Sequence, residues 1–151
     1  MRGLAAAMAI LGLAMLAGCA KGDLPWRTLE ARYESPASRF ADLPGGLHVH
    51  YRDQGDPKAQ HTLVLVHGFA ASLQAWEPWV AKLTPQYRVI SLDLPGHGLT
   101  RAPAGYRASA DANVAVIDEL TRRLGRASPR GVVGASRFRS GPPHSPSSLW
   151  R

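Results

Sequence analysis

The pattern of apolar and polar residues along the chain predicts strands separated by helices. Residues 47–52 alternate apolar and polar side chains, which is typical of a half-buried strand at a sheet edge or in a hairpin. Residues 62–66 form a short continuous apolar run, as expected for a parallel strand that is covered on both faces. We interpret residues 87–92 as a second buried strand, and residues 131–133 begin a third.

Apolar residues three or four positions apart predict two amphipathic helices between these strands. The first covers residues 73–83, with Ser72 as its predicted N-cap and Pro85 marking its end. The second covers residues 109–124 and stops at Gly125. Its predicted apolar stripe consists of Val114, Ile117, Leu120 and Leu124. The order strand, helix, strand, helix, strand predicts an open, mostly parallel α/β sheet with flanking helices.

The N-terminus has the pattern of a secretory signal peptide. One positive charge at Arg2 precedes an apolar run over residues 4–17, which is shorter than the roughly 20 residues needed to span a bilayer. The run leads into LAGC at residues 16–19, which resembles the lipobox of bacterial lipoproteins. We expect a lipid anchor at Cys19 and a place in the cell envelope, at the periplasmic face of the outer membrane because Ala20 is not aspartate. A cleaved signal and secretion to the periplasm is the alternative.

The composition describes a neutral body that is followed by a basic segment. The 151 residues carry a formal net charge of +7, and 45% are hydrophobic, which is ample for a globular core. Residues 1–119 contain 11 basic and 11 acidic side chains, whereas residues 120–151 contain seven basic and no acidic ones. We therefore expect no nucleic-acid partner. One cysteine excludes an internal disulfide, and six scattered histidines give no metal-site spacing.

Glycine-containing segments follow all three predicted buried strands. They read HGFAAS at residues 67–72, DLPGHGLT at residues 93–100 and GAS at residues 134–136. Active sites of open α/β sheets gather at the carboxyl ends of the strands. Together and in this order, the segments resemble those of the α/β-hydrolase family, in which a nucleophile elbow G-x-S-x-G comes after the D-x-P-G-H-G loop. The resemblance implies the front half of an α/β-hydrolase fold.

The resemblance also implies roles for individual residues. Ser136 is the candidate nucleophile, and the backbone N–H groups of Phe69 and Arg137 would form the oxyanion hole. The residues expected to brace the loops, rather than transfer protons, are His67, Gly68, Asp93 and His97. The implied reaction is hydrolysis of an ester or similar bond in a small molecule, without a metal or organic cofactor. Carbon–carbon bond hydrolases and cofactor-free haloperoxidases share these segments, so the substrate stays open.

The segment after Ser136 departs from the family pattern. Phe138 stands where the elbow has its second glycine, so an ordinary polar role for Ser136 is the alternative. A serine hydrolase also needs an acid and a histidine, which in this family follow the serine. No acidic residue follows Glu119, and His144 in a proline-rich stretch is a poor substitute. We therefore expect the chain as written to be inactive.

These patterns divide the chain into four segments. We expect a signal peptide at residues 1–18, a tether and lead-in at residues 19–44, and a partial α/β-hydrolase domain at residues 45–136. A disordered tail at residues 137–151 completes the chain, and a frameshift or premature stop near Ser136 would explain it. A strand-helix pattern with Asp and His in another reading frame would support that hypothesis. A lipid-anchored, non-catalytic binding or structural protein is the alternative function, and a tail that binds anionic lipid headgroups is a third.

Overall fold

The computed structural model describes residues 24–125 and 132–134. The predicted signal peptide, Cys19 and the tail at residues 137–151 lie outside the described residues. The same holds for Ser136. Among the described residues, no helix is long and apolar enough to cross a bilayer.

The chain divides into two units, Met1–Tyr33 and Glu34–Arg151. In the first unit, the described helix is α1 (Trp26–Tyr33), and none of its side chains is buried. The guanidinium of Arg32 lies over the ring of Tyr33, 5.5 Å from its centroid. The second unit contains the sheet and the candidate site.

Five strands of the second unit form one sheet. They are β1 (Ser38–Leu43), β2 (Leu47–Gln54), β3 (Thr62–Val66), β4 (Arg88–Leu92) and β5 (Val132–Gly134). Their order is β1-β2-β4-β3-β5. Strand β3 is parallel to β4 and to β5, whereas β2 is antiparallel to β1 and to β4. The predicted open α/β sheet is confirmed, as a mixed sheet whose parallel part is formed by the three predicted buried strands.

The start of the sheet differs from the sequence prediction. Strand β2 is an arm of the β1–β2 hairpin, which is one of the two predicted alternatives, and it is not an edge strand because it also pairs with β4. Strand β1 and helix α1 lie within residues 19–44, where the sequence predicts a tether and lead-in. Cross-strand contacts hold β1, because the ring of Phe40 stacks on His48, with the ring centroids 4.9 Å apart. Such contacts leave no periodic signal within β1 itself.

Two helices flank the sheet at the predicted places. A 3₁₀ turn (Leu73–Trp76) leads into α2 (Glu77–Leu83), which ends two residues before Pro85. Helix α3 (Ala110–Arg123) is followed two residues later by Gly125, whose φ of +80° is the left-handed conformation expected after a helix. Ser72 occupies the predicted N-cap position with an extended backbone, but its side chain makes no capping hydrogen bond.

The apolar core consists of two clusters of buried residues. Successive residues of β3 alternate between them, with Val64 in one cluster and Leu65 in the other. Trp76 and Val80 pack in the cluster that contains Leu65. The α3 residues in the other cluster are Val116, Ile117 and Leu120, with Leu124 packed beside them. Val114 was predicted in this stripe but is 55% exposed, because the buried face of α3 turns towards Val116.

Candidate active site

The carboxyl ends of β3, β4 and β5 lie side by side. Val66, the last residue of β3, is opposite Leu92 at the end of β4 and Gly134 at the end of β5. The segments that begin with His67 and Asp93 therefore leave the sheet at the same edge. Gly134 is the last described residue before Ala135 and Ser136. The register thus brings the segments that begin with His67 and Asp93, together with Gly134, to one edge of the sheet.

The buried imidazole of His67 connects the two described loops. Its Nδ1–H donates to the carbonyl of Gly68 at 2.8 Å, and its Nε2 accepts the N–H of Leu94 at 3.0 Å. Both ring nitrogens are thus used by a neutral ring. Burial lowers the pKa of His67, and this effect outweighs the Gly68 carbonyl and the Asp93 carboxylate, which act in the opposite direction. This geometry agrees with a bracing role for His67, which stays a prediction.

The carboxylate of Asp93 is the most densely bonded group at this edge. Its Oδ1 accepts the N–H of Leu73 at 2.7 Å, and its Oδ2 accepts the N–H of Leu99 at 3.0 Å and a proton of His50 Nδ1 at 2.7 Å. Burial opposes ionisation, but these hydrogen bonds outweigh it and hold the pKa of Asp93 below its ordinary value. Asp93 therefore caps the 3₁₀ turn in the place of Ser72.

Two residues that the sequence analysis did not single out tie β2 to the same loop. The backbone N–H of His50 donates to Thr100 Oγ1 at 2.9 Å, and the Thr100 hydroxyl donates to the carbonyl of Asp93 at 2.7 Å. The N–H of Asp93 donates to the carbonyl of His50 at 2.9 Å. The alternation in β2 predicts a polar, half-exposed His50, whereas the imidazole is buried. Of these two residues, Thr100 belongs to a glycine-containing segment, as the last residue of DLPGHGLT, whereas His50 lies outside those segments.

Two further residues of the loop at residues 93–100 contact the residues described above: His97 through its ring and Gly98 through its backbone. The ring of half-buried His97 lies 5.0 Å from that of His67, measured between centroids. Gly98 has a φ of +51°, and a Cβ on it would lie 2.0 Å from Asp93 Oδ2. Glycine at this position is thus required both by the backbone conformation and by the close approach of the carboxylate.

Among the described residues, Phe69 takes no part in this hydrogen-bond network. Its side chain is 97% exposed, and within the described part of the chain its backbone N–H makes no hydrogen bond. The next residue, Ala70, has a φ of +54°, a left-handed conformation that is strained for a residue other than glycine. Strained turns of this kind concentrate at functional sites. Among the described residues, no acceptor occupies the Phe69 amide, as the role of an oxyanion-hole donor requires.

The structure brings five of the predicted site residues together and leaves the others untested. The residues at the described edge are His67, Gly68, Phe69, Asp93 and His97. Ser136, Arg137 and the predicted lipidation site Cys19 lie outside the described residues. Within residues 24–125 and 132–134, no group of three or more His, Cys, Asp or Glu side chains could hold a metal ion.

The stability of this fold is expected to fall in two stages as the pH is lowered. Because folding lowers the pKa of His67, the unfolded chain binds the proton more readily, so the free energy of unfolding decreases below about pH 6.5. The lowered pKa of Asp93 has the same sign, and its contribution is lost below about pH 4. Urea denaturation at a series of pH values measures both stages. His67→Gln should remove the first, and stability that rises from pH 7 to pH 5 would contradict the assignment.

Comparisons with known proteins identify the family to which this fold belongs. The model of the alpha/beta hydrolase fold family matches residues 61–137, half of the chain. The chain is 39% identical over 67 residues to (E)-2-((N-methylformamido)methylene)succinate hydrolase of Acinetobacter baylyi, which covers 44% of this chain and 24% of that protein. It is 43% identical over 54 residues to pimeloyl-[acyl-carrier protein] methyl ester esterase of Legionella pneumophila, covering 36% and 20% respectively.

A solved structure of an epoxide hydrolase from metagenomes of hot environments is similar as well. Its TM-score is 0.59 at 27% identity, over 67% of this chain and 34% of that one. The matched part of the chain thus spans between about a fifth and a third of the length of the curated relatives that it matches.

Proposed function

Because this chain belongs to the alpha/beta hydrolase fold family, we propose that it supplies the nucleophile and the oxyanion hole of a serine hydrolase that cleaves an ester or similar bond. The observation that carries the proposal is the register of the parallel strands. Val66 is opposite Gly134, and Ser136 comes two positions after Gly134 in the sequence, which supports a place for Ser136 at the edge where Phe69 follows β3. The methyl ester esterase among the relatives supports a carboxylic ester as the substrate class.

In the proposed reaction, Ser136 attacks the carbonyl carbon of the ester and forms an acyl-enzyme. The N–H groups of Phe69 and Arg137 stabilise the oxyanion, and one such donor contributes about 3 kcal/mol to catalysis. Two observations support this role: the amide of Phe69 has no hydrogen-bond acceptor among the described residues, and the network around Asp93 holds the neighbouring loops in place. Preorganised donors need no rearrangement during the reaction. A serine at position 136 also argues against the dehalogenase-like branch, which carries aspartate there.

The 151-residue chain by itself is expected to show no Ser136-dependent turnover of p-nitrophenyl acetate. The triad acid and histidine of this family follow the nucleophile in the sequence, and no Asp or Glu follows Glu119. Without a base that accepts the serine proton, acyl transfer from a neutral ester is slow. Initial rates measured for the chain and for its Ser136→Ala variant should agree, and a clear loss of rate in the variant would overturn the expected inactivity.

A chimera tests the proposed site itself. Residues 1–136 are joined to the carboxyl-terminal part of a serine hydrolase of the same family, which supplies an acid and a histidine. We expect the chimera to hydrolyse p-nitrophenyl acetate, and Ser136→Ala to lower the rate at least about 1,000-fold without changing the melting temperature. A folded chimera whose rate does not depend on Ser136 would contradict the proposal and favour a non-catalytic binding or structural protein.

We also propose that the protein is anchored in the cell envelope by a lipid on Cys19. The support is the LAGC segment after an apolar run, and Cys19 is the single cysteine of the chain. Cys19→Ser is expected to abolish the incorporation of labelled palmitate and to move the protein out of the membrane fraction, whereas Ala20→Ser should leave both unchanged. Label that persists in Cys19→Ser, or is absent from the unaltered chain, would contradict the anchor.

A further inference from the structure

A second serine lies in hydrogen-bond contact with a buried histidine–aspartate pair. Ser38 Oγ is 2.8 Å from His50 Nε2, and Nδ1 of the same ring is 2.7 Å from Asp93 Oδ2. His50 and Asp93 are both buried, whereas Ser38 is half-buried and reaches solvent. We propose that Ser38, His50 and Asp93 form a nucleophilic serine site, separate from Ser136, that reacts with electrophilic acyl and phosphonyl esters.

The hydrogen bonds around Asp93 fix the proton arrangement that such a site needs. An ionised Asp93 accepts the N–H groups of Leu73 and Leu99, so its remaining partner at Oδ2 must also be a donor. The donor is Nδ1–H of His50, which leaves the lone pair of Nε2 to accept the hydroxyl proton of Ser38. This is the order of contacts by which an acid orients a histidine base towards a serine nucleophile.

The elements that carry these residues hold them in place. Ser38 begins β1 after a turn, in which its N–H donates to the carbonyl of Ser35 at 2.9 Å. The N–H of Ser35 donates back to Ser38 Oγ at 3.1 Å. Phe40 is paired with His50 across the β1–β2 hairpin, and the centroids of the two rings are 5.0 Å apart. The hydroxyl and the imidazole are therefore oriented by the fold before any substrate binds.

The chemistry of the proposed step is that of acyl transfer. Ser38 Oγ attacks the carbonyl carbon, its proton passes to His50 Nε2, and the Asp93 carboxylate stabilises the resulting imidazolium. When the tetrahedral intermediate collapses, this proton leaves with the alcohol, and the acyl group stays on Ser38. The N–H of Ser35 donates to the nucleophile Ser38 Oγ itself rather than to the oxygen that becomes the oxyanion, so it contributes little to stabilising the oxyanion. We therefore expect a lasting adduct rather than rapid turnover.

Mass-spectrometric mapping of a fluorophosphonate adduct on the unmodified 151-residue chain tests this inference. We expect the adduct on Ser38, formed at least about 100-fold faster than in the same chain unfolded in urea, which is the contribution of a positioned general base. Ser38→Ala should remove this adduct. Ser109 is the internal control, because its side chain accepts the N–H of Ala112 at the start of α3 and makes no hydrogen bond to a histidine of the described ranges.

The position and the rate of labelling decide whether Ser38 is a nucleophilic site. Faster labelling of Ser38 in the folded chain supports the site, provided that Ser109 stays unlabelled. No adduct on Ser38, or a folded-to-unfolded ratio of labelling rates below about 100, would overturn it. Ser38 and Ser136 lie on different tryptic peptides, since Arg39 and Arg130 are cleavage sites between them. An adduct on Ser136 alone would therefore overturn this inference while leaving the proposed hydrolase function intact.

Discussion

Replacing Asp93 with alanine is expected to lower the free energy of unfolding by about 3–5 kcal/mol, because each buried donor that loses its acceptor costs about 1–3 kcal/mol. The truncation leaves the N–H groups of Leu73 and Leu99 and the Nδ1–H of His50 buried without an acceptor. The carboxylate joins β2, the 3₁₀ turn and its own loop, so its loss should loosen the whole carboxyl edge. Urea denaturation followed by circular dichroism measures the change.

The surface pair of Asp42 and His48 provides a matched control. Asp42 Oδ1 lies 2.6 Å from His48 Nδ1, a contact of the same type, but the Asp42 side chain is 88% exposed. Asp42→Ala is therefore expected to cost less than about 1 kcal/mol. If Asp93→Ala and Asp42→Ala change the free energy of unfolding equally, the buried network does not hold the edge together as described.

The second large effect is expected for Gly98→Ala, which should destabilise the fold by about 3–5 kcal/mol. Part of this cost is the left-handed backbone, with its φ of +51°. The larger part is steric, because the new Cβ would lie 2.0 Å from Asp93 Oδ2 and 2.2 Å from Asp93 Cγ. Relief requires the carboxylate to move, and this breaks its bonds to Leu73 and His50.

Gly96 in the same loop separates the two causes. Its φ is +82°, but a Cβ there would meet nothing within 4 Å. Gly96→Ala should therefore cost only the backbone strain, about 1–2 kcal/mol. The free energies of unfolding of both variants can be compared by urea titration. A Gly98→Ala variant that is no less stable than Gly96→Ala would show that the carboxylate does not approach Gly98 as closely as the structure indicates.

The parallel part of the fold could be predicted from sequence because each of its elements carries a local signal. The buried strand at residues 62–66 coincides with its predicted bounds, since a short continuous apolar run is typical of a strand that is covered on both faces. Helix α3 was detectable from its periodicity and from Gly125. These signals depend on residues that are close in sequence.

Strand β1 and the burial of His50 depend instead on contacts between distant residues. Phe40 and His48 stack across a hairpin, and the imidazole of His50 is paired with a carboxylate 43 positions away. A polar residue in an alternating strand predicts exposure, and nothing near His50 in the sequence indicates its partner. The same reason explains why the side chain of Ser72 makes no capping bond, since the carboxylate of Asp93 accepts the N–H of Leu73 at the start of the 3₁₀ turn.

The sequence predicts which loops form the candidate site, but it does not predict the hydrogen bonds that join them. The HGF and DLPGHGLT motifs identified the loops that meet at the edge, because glycines after strands have a recognisable pattern. They did not reveal that one carboxylate joins His50, the Leu73 amide and the Leu99 amide. The roles of Ser136 and Arg137 stay predictions, because both residues lie outside the described ones.

The most direct test of the account is a crystal structure of the chimera after reaction with a fluorophosphonate. The parallel register of β3 and β5 predicts that Ser136 carries the phosphonyl group and that one phosphonyl oxygen lies about 2.7–3.1 Å from the backbone nitrogen of Phe69. A phosphonylated Ser136 whose oxygens all point away from Phe69 would contradict the assignment of this edge as the oxyanion site. An unmodified Ser136 in the folded chimera would contradict it as well.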